Sequence, residues 1–252
     1  MITLHSSYAP GRAVRALGKL FQNPDDLPQV FTIFESMTGP TVERMVKRLR
    51  RTGTGARLLD TRSDIVPVLR DREALRRLPN RSLGRAYLDF VESESISAEG
   101  IIAASVQGET HETVLAADVA WVHQRMRDTH DLWHVVTGYK GDLVGETALL
   151  GFTLAQTRNP GVALIYGLGL IKLRRHGSVQ SVMRGGFDRG RKAEWLPAVD
   201  WEPLMALPID LVRTRLHIVQ PPAYAPIRSE HLKTPNVSHA SSQGWTSLLQ
   251  WT

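Results

Sequence analysis

The chain has 252 residues, of which 42% are hydrophobic, so it can bury a sizeable core in one large domain or two small ones. It contains no cysteine, which excludes disulfide bonds, cysteine-ligated zinc and iron–sulfur clusters. The formal net charge is +6 and residues 1–30 lack a signal-peptide pattern, so we expect a soluble or peripheral protein.

Part of the positive charge is concentrated in one basic stretch, residues 44–57. Such a patch can contact nucleic acid or an anionic membrane, and it is equally typical of a solvated helix face. Aromatic residues do not alternate with these charges, so we expect no nucleic-acid partner. The most apolar run covers residues 161–173. It is shorter than the roughly 20 residues that a membrane-spanning helix needs.

Apolar residues recur at helical spacing, and no alternating strand pattern of useful length is present. Capping residues mark several boundaries: Gly138 as a C-cap, Asp142 as an N-cap, and Asn159 with Pro160 at the start of another helix. In chain order, the pattern predicts helices over 40–51, 84–92, 111–137, 143–157, 160–175, 178–193 and 209–218, with a turn over 201–207.

These elements predict an all-α fold, a compact multi-helix single domain, over residues 1–220. Residues 221–252 are rich in proline and serine and show little periodicity, so we expect a loosely ordered tail.

The stretch DTHDLWH at residues 128–134 carries the clearest chemical pattern. On a helix, Asp131 and His134 lie about 100° and 40° around the axis from His130, so all three can face one side. Glu146 follows inside an apolar run, where an unpaired carboxylate is costly to bury unless it is paired, protonated or bound to a cation. The intervening TGYKGD supplies a turn, so a second antiparallel helix can bring Glu146 back to the histidines.

Two imidazoles with one or two carboxylates suit zinc, and a site with an open position also accepts iron or manganese. We therefore treat His130, Asp131, His134 and Glu146 as candidate metal ligands and catalytic residues, with zinc as the expected metal and iron, manganese or magnesium as alternatives. A chance HxxxH spacing beside a structural buried glutamate stays open.

Other motif families fit less well. A zincin needs glutamate after its first histidine, where Asp131 stands, and a di-iron bundle needs Glu-x-x-His pairs that this chain lacks. An HD-type phosphohydrolase needs an upstream histidine and a downstream aspartate. His111 or His123 could be the former, although both are expected at the surface, and no clear aspartate follows. Trp133 is expected in the core.

The pattern HDxxH, eleven residues, then Glu146 resembles the signature of the ubiquinone biosynthesis family called coenzyme Q biosynthesis protein 4. The similarity covers about 80–218. The basic stretch, the segment SESISAEG at 93–100 and the tail depart from the family. Three further segments are similar to it: SLGRAYLDFVE at 82–92, GDLVGETALLGFTLAQTRNPG at 141–161 and GRKAEWLPAVDWEPLMALPIDLVRTRLHI at 190–218.

This resemblance implies an all-helical fold and a metal, usually zinc, held by the positions matching His130, Asp131, His134 and Glu146. It also implies a carboxy-lyase reaction on a 4-hydroxy-3-methoxy-5-polyprenylbenzoate-type substrate, in which the ring carboxyl group at C1 is removed and C1 is hydroxylated. A peripheral membrane location, association with other quinone-biosynthesis enzymes and a homodimer are implied as well. The location would be the cytoplasmic face of a bacterial membrane, or the matrix side of the mitochondrial inner membrane.

Two questions remain open in the sequence. Small residues in 143–157 and 160–173 could leave a channel for a prenyl chain or could serve only close helix packing. Arg127 could pair with a substrate carboxylate or form a structural ion pair. Two alternative functions also stand: a non-catalytic prenyl-lipid-binding scaffold and a metal-dependent lipid or phosphoester hydrolase.

Overall fold

The computed structural model describes residues 8–22, 29, 32–33, 36–37, 39–94, 116–219 and 223–227. Within these ranges no β-strand forms, and the predicted all-α fold is confirmed. Short 3-10 helices cover Leu196–Ala198 and Glu202–Leu204. The α-helices are α1 (Pro10–Gln22), α2 (Thr41–Leu49), α3 (Gly53–Thr61), α4 (Val66–Arg70), α5 (Arg72–Arg77), α6 (Leu83–Ser93), α7 (Ala117–Asp128), α8 (His130–Thr137), α9 (Leu143–Thr157), α10 (Pro160–Lys172), α11 (Gly177–Lys192) and α12 (Ile209–Arg215).

The predicted long helix over 111–137 is wrong, because the chain breaks at Thr129 into α7 and α8. The Thr129 hydroxyl donates to the carbonyl of Arg125 at 2.8 Å, and such a bond from threonine to the preceding turn bends a helix. The first part of the predicted helix, residues 111–115, lies outside the described residues. The break gives the two histidines a short helix of their own.

Helix α9 forms the centre of the protein. All its residues from Leu143 to Thr153 are buried, as expected for a helix that is apolar on every side. Helix α11 packs closely along it: a Cβ added to Gly186 would lie 2.0 Å from the Ala148 carbonyl oxygen, and one added to Gly190 would lie 2.5 Å from that of Phe152. Glycine is therefore needed at these two points of contact between backbones.

Some of the small residues singled out in α9 and α10 serve the close packing of these helices. A Cβ on Gly151 would lie 3.0 Å from the Tyr166 ring, and one on Gly169 would lie 2.6 Å from the Thr147 hydroxyl. At these positions the packing alternative is confirmed. Gly167 differs, since no atom of another described element lies within 4 Å of its added Cβ.

The buried apolar residues form a large cluster and a smaller one. The large cluster contains residues from each of the helices α2 through α9 and from α11 and α12. It includes Trp133, which lies in the core as predicted. The smaller cluster lies where α1 covers α10, around Leu20, Ile33 and Val162. No helix within the described ranges is both long enough and apolar enough to span a bilayer.

The basic stretch is largely tied into the surface of the fold. Arg50 pairs with Asp60 and Asp118, Arg57 pairs with Asp200, and the Arg48 guanidinium lies 4.0 Å from the centre of a Trp195 ring. These contacts favour a structural role for much of this charge. Lys47 and Arg51 remain exposed.

Candidate metal centre

Helices α8 and α9 place three of the predicted ligands together. One donor atom from each of His130, His134 and Glu146 lies within 4.8 Å of the other two, and all three side chains are buried. His130 and His134 are one turn apart on α8, and Glu146 lies in the first turn of α9. The prediction that the chain turns back to bring Glu146 to the histidines is confirmed.

The turn between α8 and α9 forms through the predicted caps. Gly138 adopts a left-handed conformation (φ 73°), and its N–H donates to the His134 carbonyl at 2.8 Å, which ends α8. Asp142 starts α9 by accepting a hydrogen bond from the Val144 N–H at 3.0 Å. Because the loop is this short, the end of one helix and the first turn of the next are adjacent.

The same turn fixes the tautomer of His134. The Tyr139 carbonyl lies 3.0 Å from His134 Nδ1, and a carbonyl can only accept, so Nδ1 carries the proton. His134 Nε2 is then left with a lone pair, which is the form in which histidine binds a metal. The Phe90 ring of α6 stacks on His134 at 5.1 Å between ring centres and covers one face of the site.

Two polar atoms of this cluster are buried without a hydrogen-bond partner in the described part of the chain: His130 Nδ1 and Glu146 Oε2. Glu146 Oε2 lies 3.3 Å from His134 Nε2, but the contact lacks hydrogen-bonding geometry. Unsatisfied buried carboxylate and imidazole atoms are unusual in proteins, and a cation between them would satisfy both. The donor set therefore fits a divalent metal such as zinc.

The electrostatics agree with this interpretation. Burial raises the pKa of Glu146 to about 7, although His134 opposes the rise. Burial alone would lower the pKa of His134, but the Glu146 carboxylate, together with Asp131 and the Tyr139 carbonyl, raises that pKa. Burial lowers the pKa of His130 to about 4, so this imidazole is neutral at physiological pH. A divalent cation at the cluster would favour the ionised Glu146 carboxylate and the neutral His134 imidazole.

Asp131 lies beside the cluster and is not part of the group of converging atoms. Its Oδ1 is 3.6 Å from His130 Nδ1, and its side chain is nearly buried. At this distance the two atoms form no hydrogen bond, so the carboxylate lies beside the His130 nitrogen without satisfying it. That Asp131 is itself a ligand stays a prediction.

Two arginines distant in sequence hold the C-terminal end of α8. Arg213 donates from Nε to the Val136 carbonyl and from Nη2 to the Val135 carbonyl, both at 3.0 Å. Arg189 donates to the Thr137 carbonyl at 2.8 Å. Cations at the C-terminus of a helix satisfy its free carbonyls and favour its dipole. The block at 190–218 therefore contributes to the site by holding the helix that carries both histidines.

The other singled-out residues are not brought to this cluster. His123 is exposed on α7, as expected, and His111 lies outside the described residues. Arg127 forms an ion pair with Asp128 at 2.7 Å, so its structural role is confirmed. Sequence reasoning missed Phe90, the Tyr139 carbonyl, Arg189 and Arg213. The helical pattern of 84–92, which places Phe90 on its apolar side, could have suggested the first of them.

Fold and site together define an all-α protein with a buried two-histidine, one-glutamate cluster suited to a metal. Residues 11–222 match the model of the family "Coenzyme Q (ubiquinone) biosynthesis protein Coq4". The chain belongs to this family, so the resemblance noted in the sequence is confirmed, and with it a role in ubiquinone biosynthesis.

Individual relatives agree with the family match. The "Ubiquinone biosynthesis protein COQ4 homolog, mitochondrial" of Bos taurus is 27% identical over 213 residues, which cover 83% of this chain and 78% of that protein. The Danio rerio protein of the same description is 29% identical over 217 residues, covering 85% and 76%. A crystal structure from Nostoc punctiforme PCC 73102 has a TM-score of 0.62 at 19% identity and covers 85% of this chain and all of that one, which supports the fold.

Proposed function

We propose that the chain catalyses the metal-dependent oxidative decarboxylation of a polyprenyl hydroxybenzoate during ubiquinone biosynthesis. The observation that carries this proposal is the buried cluster of His130, His134 and Glu146, with its unsatisfied carboxylate and imidazole atoms. Membership of the Coq4 family supports the part of the proposal that concerns ubiquinone biosynthesis. The cluster supports the part that concerns a metal-dependent reaction.

Written as a balanced reaction, the C1–carboxyl bond of the ring breaks with release of CO2, and a C1–oxygen bond forms. With water as the oxygen source, two protons and two electrons leave the ring and pass to a two-electron oxidant, a class that includes dioxygen. A divalent metal bound at the cluster would supply Lewis acidity toward a carboxylate or phenolate oxygen.

Residues around the cluster fix the protonation of one candidate ligand and exclude water from the site. The Tyr139 carbonyl keeps the proton on His134 Nδ1 and the lone pair on Nε2. Asp131 places a carboxylate oxygen 3.6 Å from His130 Nδ1, beside the cluster. Phe90 covers the His134 ring and, with the burial of all three ligands, excludes bulk water. A dry site strengthens the interaction between a cation and a developing negative charge on the substrate.

Turnover of a prenylated 4-hydroxy-3-methoxybenzoate by the metal-loaded chain, with dioxygen present as the two-electron oxidant, tests the proposal. Released CO2 and the mass of the phenolic product are measured, with zinc, iron or manganese supplied in turn. Glu146→Gln is expected to reduce the rate by at least about a hundredfold, because several kcal/mol of metal-based stabilisation are lost. Glu92→Gln, the same substitution at an exposed glutamate on α6, should leave the rate unchanged.

The outcome separates the alternatives. An intact metal site that gives no CO2 and no product with any of the three metals would contradict the proposal and favour a lipid-binding scaffold. Hydrolysis of phosphoesters by the loaded chain would favour a hydrolase instead.

The proposal includes a peripheral position on a membrane, where a prenylated substrate resides, together with a homodimer and contacts to other quinone-biosynthesis enzymes. The composition of two segments supports the membrane contact: residues 10–22 and 160–177 contain no Asp or Glu. They carry the exposed apolar side chains Val14, Phe21 and Ile171. Apolar side chains among basic ones are typical of surfaces that dock on anionic lipid. The basic residues in these ranges are Arg12, Arg15, Lys19, Lys172, Arg174 and Arg175.

Sedimentation with vesicles containing phosphatidylglycerol tests this surface. Arg174→Gln/Arg175→Gln removes two exposed charges and is expected to weaken binding about ten- to thirtyfold, at about 1 kcal/mol per charge. Lys47→Gln/Arg51→Gln removes the same charge from the exposed part of the basic stretch and should have little effect. Equal losses in the two variants, or no binding by the wild-type chain, would contradict the assignment.

A further inference from the structure

Tyr224 packs against the turn between α8 and α9, although the tyrosine and the turn are far apart in sequence. Its hydroxyl donates to Asp142 Oδ2 at 3.0 Å and accepts from the Lys140 N–H at 2.8 Å. Burial and the Asp142 carboxylate raise the pKa of Tyr224, so the phenol keeps its proton at neutral pH. The hydroxyl therefore links the last residues of the turn to the cap of α9.

Tyr224 belongs to the segment 223–227, which we call the strap. Ile227, at the end of the strap, makes further bonds to the start of α9. The Ile227 N–H donates to Asp142 Oδ1 at 3.0 Å, and the Leu143 N–H donates to the Ile227 carbonyl at 2.9 Å. Both carboxylate oxygens of Asp142 are thus used by the strap. In this segment Tyr224 and Ile227 make specific contacts, while the prediction of a loosely ordered tail otherwise falls on residues outside the described ranges.

The strap fits closely at Gly145, in the first turn of α9. A Cβ at this position would lie 2.5 Å from the Tyr224 hydroxyl and 2.0 Å from the Lys140 carbonyl oxygen. Glycine is therefore required for the turn and the tyrosine to approach the helix. Tyr224 occupies a place that the turn, the cap and Gly145 together define.

The contacts of the strap lead to both sides of the metal centre. Lys140 follows Tyr139, whose carbonyl holds His134 Nδ1. On the other side, the Asp142 carbonyl accepts from the Glu146 N–H at 2.8 Å. Movement of the turn would change the separation of His134 Nε2 and Glu146, which lie on different helices.

We infer that Tyr224 is a positioning residue for the metal centre: it holds the 138–142 turn so that His134 and Glu146 stay at a common binding distance. The inference rests on the proposed metal site. Tyr224 acts through the turn and does not itself bind the metal.

The test compares zinc affinity in Tyr224→Phe and Tyr166→Phe, measured by competition with a chromophoric chelator. Tyr224→Phe is expected to weaken zinc binding about tenfold or more, the usual effect of losing a residue that supports a ligand. Tyr166→Phe on α10 is the matched control, because it removes a hydroxyl bond to the Met183 carbonyl of α11, outside the turn. Cobalt(II) substituted for zinc should show a changed visible absorption spectrum only in Tyr224→Phe.

Thermal unfolding of the metal-free proteins accompanies the titration and separates positioning from general stability. Wild-type zinc affinity and an unchanged cobalt spectrum in Tyr224→Phe would overturn the inference while the metal site stands. Equal weakening in both tyrosine variants, in step with their melting temperatures, would also overturn it. A wild-type chain that binds neither metal would instead overturn the proposed metal site.

Discussion

The double variant His130→Ala/His134→Ala is expected to bind no zinc, whereas the wild-type chain should hold one equivalent. Both imidazoles belong to the buried cluster, and their removal leaves Glu146 as its only converging ligand. One carboxylate cannot compete with solvent and chelators for zinc. Elemental mass spectrometry after gel filtration measures the metal content of each protein.

The matched control is His123→Ala/His176→Ala, which removes two exposed histidines and should retain the metal. The double variant in α8 is expected to stay folded. The carbonyls at the end of this helix are held by Arg189, Arg213 and the Gly138 N–H, and none of these bonds involves an imidazole. Metal retained at the wild-type level in a folded His130→Ala/His134→Ala variant would show that the metal binds elsewhere.

The substitution Gly186→Ala is expected to destabilise the protein by about 2–3 kcal/mol, through overpacking between α9 and α11. The added Cβ would lie 2.0 Å from the Ala148 carbonyl oxygen, and a backbone atom in the centre of the fold cannot move aside as a flexible side chain can. For a chain of this size the melting temperature should fall by about 4–12 °C. Calorimetry of the metal-free protein measures the change.

Gly185→Ala, the adjacent substitution on the same helix, is the control. Its Cβ would have no atom within 4 Å, and alanine favours a helix interior over glycine by about 0.5–1 kcal/mol. The melting temperature of this variant should therefore rise slightly. A similar fall in both variants would contradict the close approach of α11 to α9.

Local signals in the sequence were sufficient for the position of the metal centre and for six helices, α2, α6, α9, α10, α11 and α12. They did not predict α1, α3, α4 and α5. Gly138, Asp142 and Asn159 cap the helices as predicted, because capping depends on neighbours within a few residues. The return of Glu146 followed from the cost of burying a lone carboxylate and from a turn of suitable composition. Both arguments need only the short range between residues 128 and 146.

Contacts between residues that are far apart in sequence could not be predicted from these local signals. Nothing near Arg213 or Tyr224 in sequence indicates that the first holds the end of α8 and the second holds the start of α9. The break at Thr129 was missed for a different reason. The apolar spacing continues through it, while the bend comes from one hydroxyl that bonds the preceding turn.

Helical angles could not predict either that Asp131 would lie outside the group formed by His130, His134 and Glu146. On an ideal helix Asp131 is about 100° from His130, which is compatible with a ligand or with a supporting residue. The structure puts Asp131 Oδ1 3.6 Å from His130 Nδ1, outside the group of atoms that converge.

X-ray absorption spectroscopy of the wild-type chain loaded with one equivalent of zinc tests the central claim most directly. His130, His134 and Glu146 as ligands predict a first shell of nitrogen and oxygen at about 2.0–2.2 Å, with outer-shell scattering from two imidazoles. A chain that binds no zinc, or a zinc shell without imidazole scattering, would contradict the metal centre and the chemistry proposed for it.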